Sequence, residues 1–122
     1  MGIKAWVKKV KNGYVINQAQ NTKLPQFAPD DIVRRHYIFQ GRVQKVGFRI
    51  EVIELAKRLG LTGWVNNLEN GDVEAELQGQ KNKIDFLVSF MESLKRIKIT
   101  SKEVNEIPIV ETETEFESDK EY

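Results

Sequence analysis

The segment Gly41-Arg42-Val43-Gln44-Lys45-Val46-Gly47-Phe48-Arg49 constrains this chain more than any other. Upstream, Tyr37, Ile38, Phe39 and Val43 favour a strand; from Phe48 onward the apolar residues Val52, Leu55, Ala56 and Leu59 recur at helical spacing. The segment therefore reads as strand, short loop and helix, with Arg49 in the helix's first turn. A helix N-terminus presents unpaired N–H groups and the positive end of a dipole, so a cation there costs roughly 0.3 to 1 kcal/mol unless an anion is held beside it. This is anion-binding architecture.

The remaining pattern places that loop in a fold. Gly60 ends the helix as a C′ glycine. Gly63 to Asn67 and Asp72 to Gln78 flank a turn at Glu69-Asn70-Gly71, and Val73, Ala75 and Leu77 alternate with Asp72, Glu74 and Glu76 as in a half-buried strand. A second helix carries Ile84, Leu87, Val88, Met91 and Leu94 on one stripe, followed by strand-like runs at Ile97 to Ile107 and Ile109 to Phe116. The order βαββαβ plus a final strand predicts an α+β, ferredoxin-like split βαβ fold, with two helices on one face of an antiparallel sheet. At the other end, residues 3 to 17 alternate and contain Asn12-Gly13, which predicts a hairpin with a type I′ turn; residues 21 to 31 carry Pro25 and Pro29 and read as a linker. The expected division is an N-terminal extension over residues 1–33 and a domain over residues 34–122.

Composition removes several classes of function. With 122 residues, 30% charged and 40% hydrophobic, the chain suits one globular domain. It has no cysteine, so disulfides, thiolate metal sites and a cysteine nucleophile are excluded, and a single histidine supports neither a phospho-histidine enzyme nor a His-rich metal site. No apolar run approaches the roughly 20 residues that span a bilayer, and the start lacks a signal-peptide core, so a cytoplasmic protein without membrane contact is expected. Residues 1 to 49 hold ten Lys/Arg against two Asp, and residues 100 to 122 hold two Lys against eight Asp/Glu; neighbouring basic and acidic strands account for this more simply than a nucleic-acid patch.

Two segments together resemble the acylphosphatase family, whose signature Gly-x-Val-Gln-Gly-Val-x-Phe-Arg is followed after a helix by Gly-Trp-Val-x-Asn. Gly41, Val43, Gln44, Val46, Phe48 and Arg49 match the first half, and Gly63-Trp64-Val65-Asn66-Asn67 matches the second. The likeness runs from about Arg35 to the C-terminus. It implies hydrolysis of the carboxyl–phosphate bond of acyl phosphates by a metal-independent enzyme without cofactor, with inorganic phosphate as product and inhibitor; a monomer is expected. Arg49 would hold the phosphoryl oxygens, the backbone N–H groups of the loop Gln44, Lys45, Val46, Gly47, Phe48 and Arg49 would surround them, and Asn67 would position water. Lys45 departs from the pattern, standing where the family has glycine. Either it strains a backbone site suited to φ > 0, or the loop accepts it in an ordinary conformation.

Residue chemistry alone leaves more open. Asn66-Asn67 can simply end a strand and begin a turn, and only the Gly-Trp-Val match selects Asn67. Gly41 and Gly47 serve equally well as punctuation. A phosphate-binding or protein-interaction module that keeps the fold without the rate is the alternative function. An RNA-recognition domain shares the element order, but its stacking aromatics are replaced here by Asp72-Val73-Glu74-Ala75-Glu76-Leu77, which offers carboxylates to a polyanion.

Overall fold

Between residues 32 and 118 the strand and helix signals resolve into β1 (Ile32–Arg42), α2 (Phe48–Leu59), β2 (Thr62–Asn67), β3 (Val73–Gln80), α3 (Lys81–Ser93), β4 (Lys98–Ile107) and β5 (Phe116–Ser118), preceded by α1 (Ile3–Asn21). The computed structural model describes the backbone of residues 3–118 and the side chains of residues 12–118. The strand order is β4-β1-β3-β2-β5, so β3 lies between β1 and β2, as the split βαβ plan requires.

Register sorts the side chains. Phe39 stands opposite Val73, Tyr37 opposite Ala75 and Val65 opposite Ala75, so these residues share one face. That face is buried under Phe48, Val52, Leu55, Ala56 and Leu59 of α2 and Ile84, Leu87, Val88 and Met91 of α3. At about 25 cal/mol per Å² of apolar surface, this shared core is the main stabilising contribution. α2 stops at Gly60, whose N–H closes the helix on the Ala56 and Lys57 carbonyls.

The sheet corrects two expectations at its far end. It is mixed, because β5 pairs parallel with β2, and the run Ile109 to Phe116 is not a strand except at Phe116. The topology supplies the reason: β4 and β5 occupy opposite edges, so the intervening chain must cross the sheet. It crosses on the helix-free side, where Gln78 exchanges hydrogen bonds with the Val110 backbone (2.8 and 3.0 Å) and Arg34 grips Glu113 (2.8 and 3.1 Å). The basic start of β1 thus meets the acidic C-terminal segment inside the fold.

The predicted hairpin over residues 3 to 17 is also replaced, by α1. A lone two-stranded hairpin is marginal in water, whereas a helix here buries Val15 and Ala19, four residues apart and hence on one face. Tertiary packing overrides the Asn12-Gly13 turn signal. Residues 22–31 form no regular element, as the two prolines require, yet they are fixed along α3. Phe27 meets Phe86 edge-on at 5.6 Å, and the Asp30 carboxylate accepts from the Asn82 N–H (3.0 Å), supplying the N-terminal cap that Gln80 does not.

Candidate active site

The loop over residues 43–47 is shaped by what it touches on either side. Behind it, β1 bulges against β4 between Gln40 and Gly41, and a Cβ on Gly41 would collide with the Lys98 carbonyl, so only glycine permits this approach. In front, the Gln44 side-chain amide donates to the carbonyls of Leu68 (2.7 Å) and Asp72 (2.8 Å), both in the β2–β3 turn. Gln44 therefore works as a clamp through its side chain, which leaves its backbone N–H as the group it can offer an anion. The clamp brings the loop beside the strand end that carries Asn67.

Lys45 has φ of 62° and is the only non-glycine with positive φ among the described residues. It holds the left-handed backbone a glycine would adopt there, at a cost of roughly 1 to 2 kcal/mol, with its side chain exposed. The loop keeps its shape and lysine accepts the strain. Gly47 follows with φ of 79° as the N-cap of α2 and contributes no side-chain cap. Gly47 therefore offers no side-chain oxygen to the first N–H groups of α2. Val46 is half-buried against the core, and Phe48 is buried with its ring 5.1 Å from that of Phe39, so Phe48 anchors the helix start.

Arg49 is the second residue of α2 and is half-buried. Asn67 closes β2 opposite Val73, on the helix-covered face; Asn66 stands opposite Glu74, on the other face. The period-two alternation of a strand therefore distinguishes the two asparagines where composition could not.

Three residues next to the loop were not singled out from sequence. Arg96, in the short connection between α3 and β4, donates from Nε to the Val46 carbonyl (2.8 Å). Gln18 of α1 accepts from Arg96 at 2.6 Å. Glu51, in the first turn of α2, is fully buried, with a carboxylate oxygen 3.5 Å from Arg96. Burial pushes its carboxyl above the ordinary range, and the Arg96 guanidinium opposes that rise. Glu51 had a detectable signal: it lies three residues after Phe48, on the apolar stripe of α2.

The acylphosphatase family profile matches residues 35–118, which include β1 from Arg35 onward, the loop, Arg49, Asn67 and all later elements. The chain belongs to the acylphosphatase family. An acylphosphatase from Clostridium beijerinckii is 39% identical over 89 residues, which span 70% of this chain and 96% of that protein. The solved acylphosphatase from Coxiella burnetii superposes with a TM-score of 0.64 at 33% identity, covering 71% of this chain and 92% of that one. The Bacillus subtilis acylphosphatase gives 0.65 at 32% identity, covering 70% and 97%. The family match takes in the loop and both motif halves, Lys45 being the departure within the first; α1 lies wholly before it.

Proposed function

We propose that this chain hydrolyses the carboxyl–phosphate bond of acyl phosphates, using Arg49, the loop from Gln44 to Phe48, and Asn67. The observation that carries the reading is the clamp: Gln44 ties a left-handed loop, with an arginine on the helix it opens, to the turn that follows Asn67. In this reading Arg49 gives two parallel hydrogen bonds to phosphoryl oxygens, and the loop N–H groups share their negative charge. Asn67, whose amide both donates and accepts, orients a water for in-line attack. A bond forms from the water oxygen to phosphorus as the bond from phosphorus to the acyl oxygen breaks. The electron pair leaves with the carboxylate, and the water's proton goes to the phosphate product.

Because a carboxylate is a stable leaving group, no general acid is required, which fits a site of one guanidinium, one amide and backbone donors. The catalytic domain in this reading is residues 34–122, with residues 1–33 as an N-terminal extension, working as a cytoplasmic monomer without nucleic acid. Steady-state hydrolysis of benzoyl phosphate with excess chelator tests the reading. The expected result is turnover, competitive inhibition by inorganic phosphate and little action on phosphate monoesters. Activity that vanishes with chelator and returns with a divalent metal would overturn it.

A further inference from the structure

Arg96 and α1 meet the anion loop from behind, and several independent contacts converge there. The Arg96 Nε–H donates to the Val46 carbonyl, one terminal nitrogen donates to Gln18 Oε1 of α1, and the other lies 3.5 Å from the buried Glu51 carboxylate. Val15 of α1 packs on the loop so closely that a Cβ on Gly47 would stand 2.7 Å from Val15 Cγ2. One helical turn later, Arg58 donates to the Ala19 carbonyl (2.6 Å) and holds the end of α1 on α2.

We propose that Arg96, braced by Gln18 and Glu51, is a positioning residue for the anion loop, and that α1 is thereby part of the apparatus that binds the phosphoryl group. The proposal rests on the acylphosphatase reading above. The Val46 carbonyl and the Gly47 N–H belong to one planar trans peptide and must point in opposite directions. A carbonyl held toward Arg96 holds the Gly47 N–H on the side of the loop away from Arg96. A charged donor on the carbonyl also polarises the peptide, making that N–H a stronger donor to an anion. Arg96 touches no reacting atom in this arrangement; it acts through the peptide.

Lys45 explains why a brace is needed. A left-handed lysine persists only where the surroundings over-determine it, and an unbraced loop would relax toward negative φ and turn its N–H groups. Gln44 restrains the loop on one side of Lys45, and Arg96, through Val46, restrains it on the other. Glu51 adds the charge balance. A buried first-turn carboxylate would weaken an anion site at the same helix end, and the adjacent guanidinium offsets it.

The test uses the full-length protein and the variants Gln18→Ala, Gln18→Glu and Arg96→Lys. The Gly47 N–H resonance is followed during titration with inorganic phosphate, with benzoyl phosphate kinetics and thermal midpoints measured alongside. Wild-type Gly47 should shift with phosphate. Gln18→Ala should weaken phosphate binding and kcat/KM together, by roughly 3- to 10-fold, with a near wild-type midpoint, and Gln18→Glu, which keeps an acceptor for the guanidinium, should restore both. Arg96→Lys should lose on the order of 10² in kcat/KM, because ammonium cannot serve Val46, Gln18 and Glu51 at once. If Arg96→Lys does not fold, Gln18→Ala decides alone. Wild-type phosphate affinity, kinetics and Gly47 shift in the Gln18 and Arg96 variants would overturn the proposal, as would a wild-type Gly47 N–H that ignores phosphate. A wild type that binds phosphate at Gly47 without hydrolysing benzoyl phosphate would sink only the acylphosphatase reading, and the phosphate titrations of the variants would still decide on the brace.

Discussion

Arg34 and Arg49 both lie in the basic half of the chain, but their surroundings have opposite characters. On the helix-free face Arg34 is 2% exposed, with Glu76 and Glu113 paired to it at 2.8 Å and Gln78 at 3.0 Å. The hydrogen bond that Arg34 donates to Glu113 is the main reason its pKa is raised, so its charge is fully spent within the protein. At the loop end, the backbone is left-handed at Lys45, and both oxygens of the buried Glu51 lack a hydrogen bond. The same molecule satisfies every demand of one cluster and leaves strain and polar cost at the other. Local rules are broken at the loop end, where the proposed function puts the phosphoryl group, and α2 carries Arg49 there as its second residue.

The largest expected effect separates the two arginines by readout. Arg49→Ala should lower kcat/KM by about 10² to 10³ with little change in stability, and Arg49→Lys should rescue poorly, since ammonium lacks the two-pronged fork. Arg34→Ala should do the reverse. It strands two part-buried carboxylates and should lower stability by about 3 kcal/mol in chemical denaturation, while the folded fraction keeps its turnover. A large loss of kcat in folded Arg34→Ala would erase the contrast.

Next in size is the pair of asparagines. Asn67→Ala should depress kcat on the order of 10² with a smaller change in phosphate affinity, as for a lost water-positioning group. Asn66→Ala should stay near wild type, because its side chain lies on the face away from the helices. The opposite ranking of the two variants would reassign the role.

Lys45→Gly tests the strain directly. Relief of a left-handed lysine should raise stability by about 1 kcal/mol, less than the full conformational cost because glycine gains freedom in the unfolded chain. Loss of an exposed charge near the anion should weaken phosphate inhibition at low ionic strength and flatten its salt dependence. Unchanged stability and unchanged salt dependence would mark lysine as neutral there.

How much of this was legible in the chain depends on the range of the interactions. The loop, α2, the β2–β3 hairpin and α3 carry local signals, namely period, glycine caps and turn residues, and those elements stand where the spacing put them. The hairpin expected over residues 3 to 17 failed because Val15 and Ala19 gain more from packing on α2 than Asn12-Gly13 gains from a turn. The strand expected from Ile109 failed because sheet order, a property of the whole chain, sends that segment across the helix-free face. Within the candidate site, Arg49 and Gln44 carry a signal in the motif spacing. Arg96 and Gln18 carry none, because they reach Val46 and one another across separations of 50 and 78 residues, with no local pattern to mark them.

The smallest expected effect concerns Glu51 and is read through pH. Its folded-state pKa is raised above the ordinary 4.5, chiefly by burial, with Arg96 opposing. Between 4.5 and the raised value the folded protein therefore holds a proton that the unfolded chain has released, so stability falls as pH rises through that window and levels off above it. Glu51→Gln keeps the shape and cannot titrate. Below about pH 4 a protonated Glu51 and a glutamine present Arg96 with the same neutral neighbour, so the two proteins should have matching thermal midpoints. Above the raised value the wild type carries a buried carboxylate and the variant does not, and the variant should become the more stable of the two. The amplitude of that divergence measures the shift, at about 1.4 kcal/mol per pKa unit. Identical slopes in both proteins would show that Glu51 does not titrate in this window, and would remove the buried carboxylate as a cost carried at the loop end.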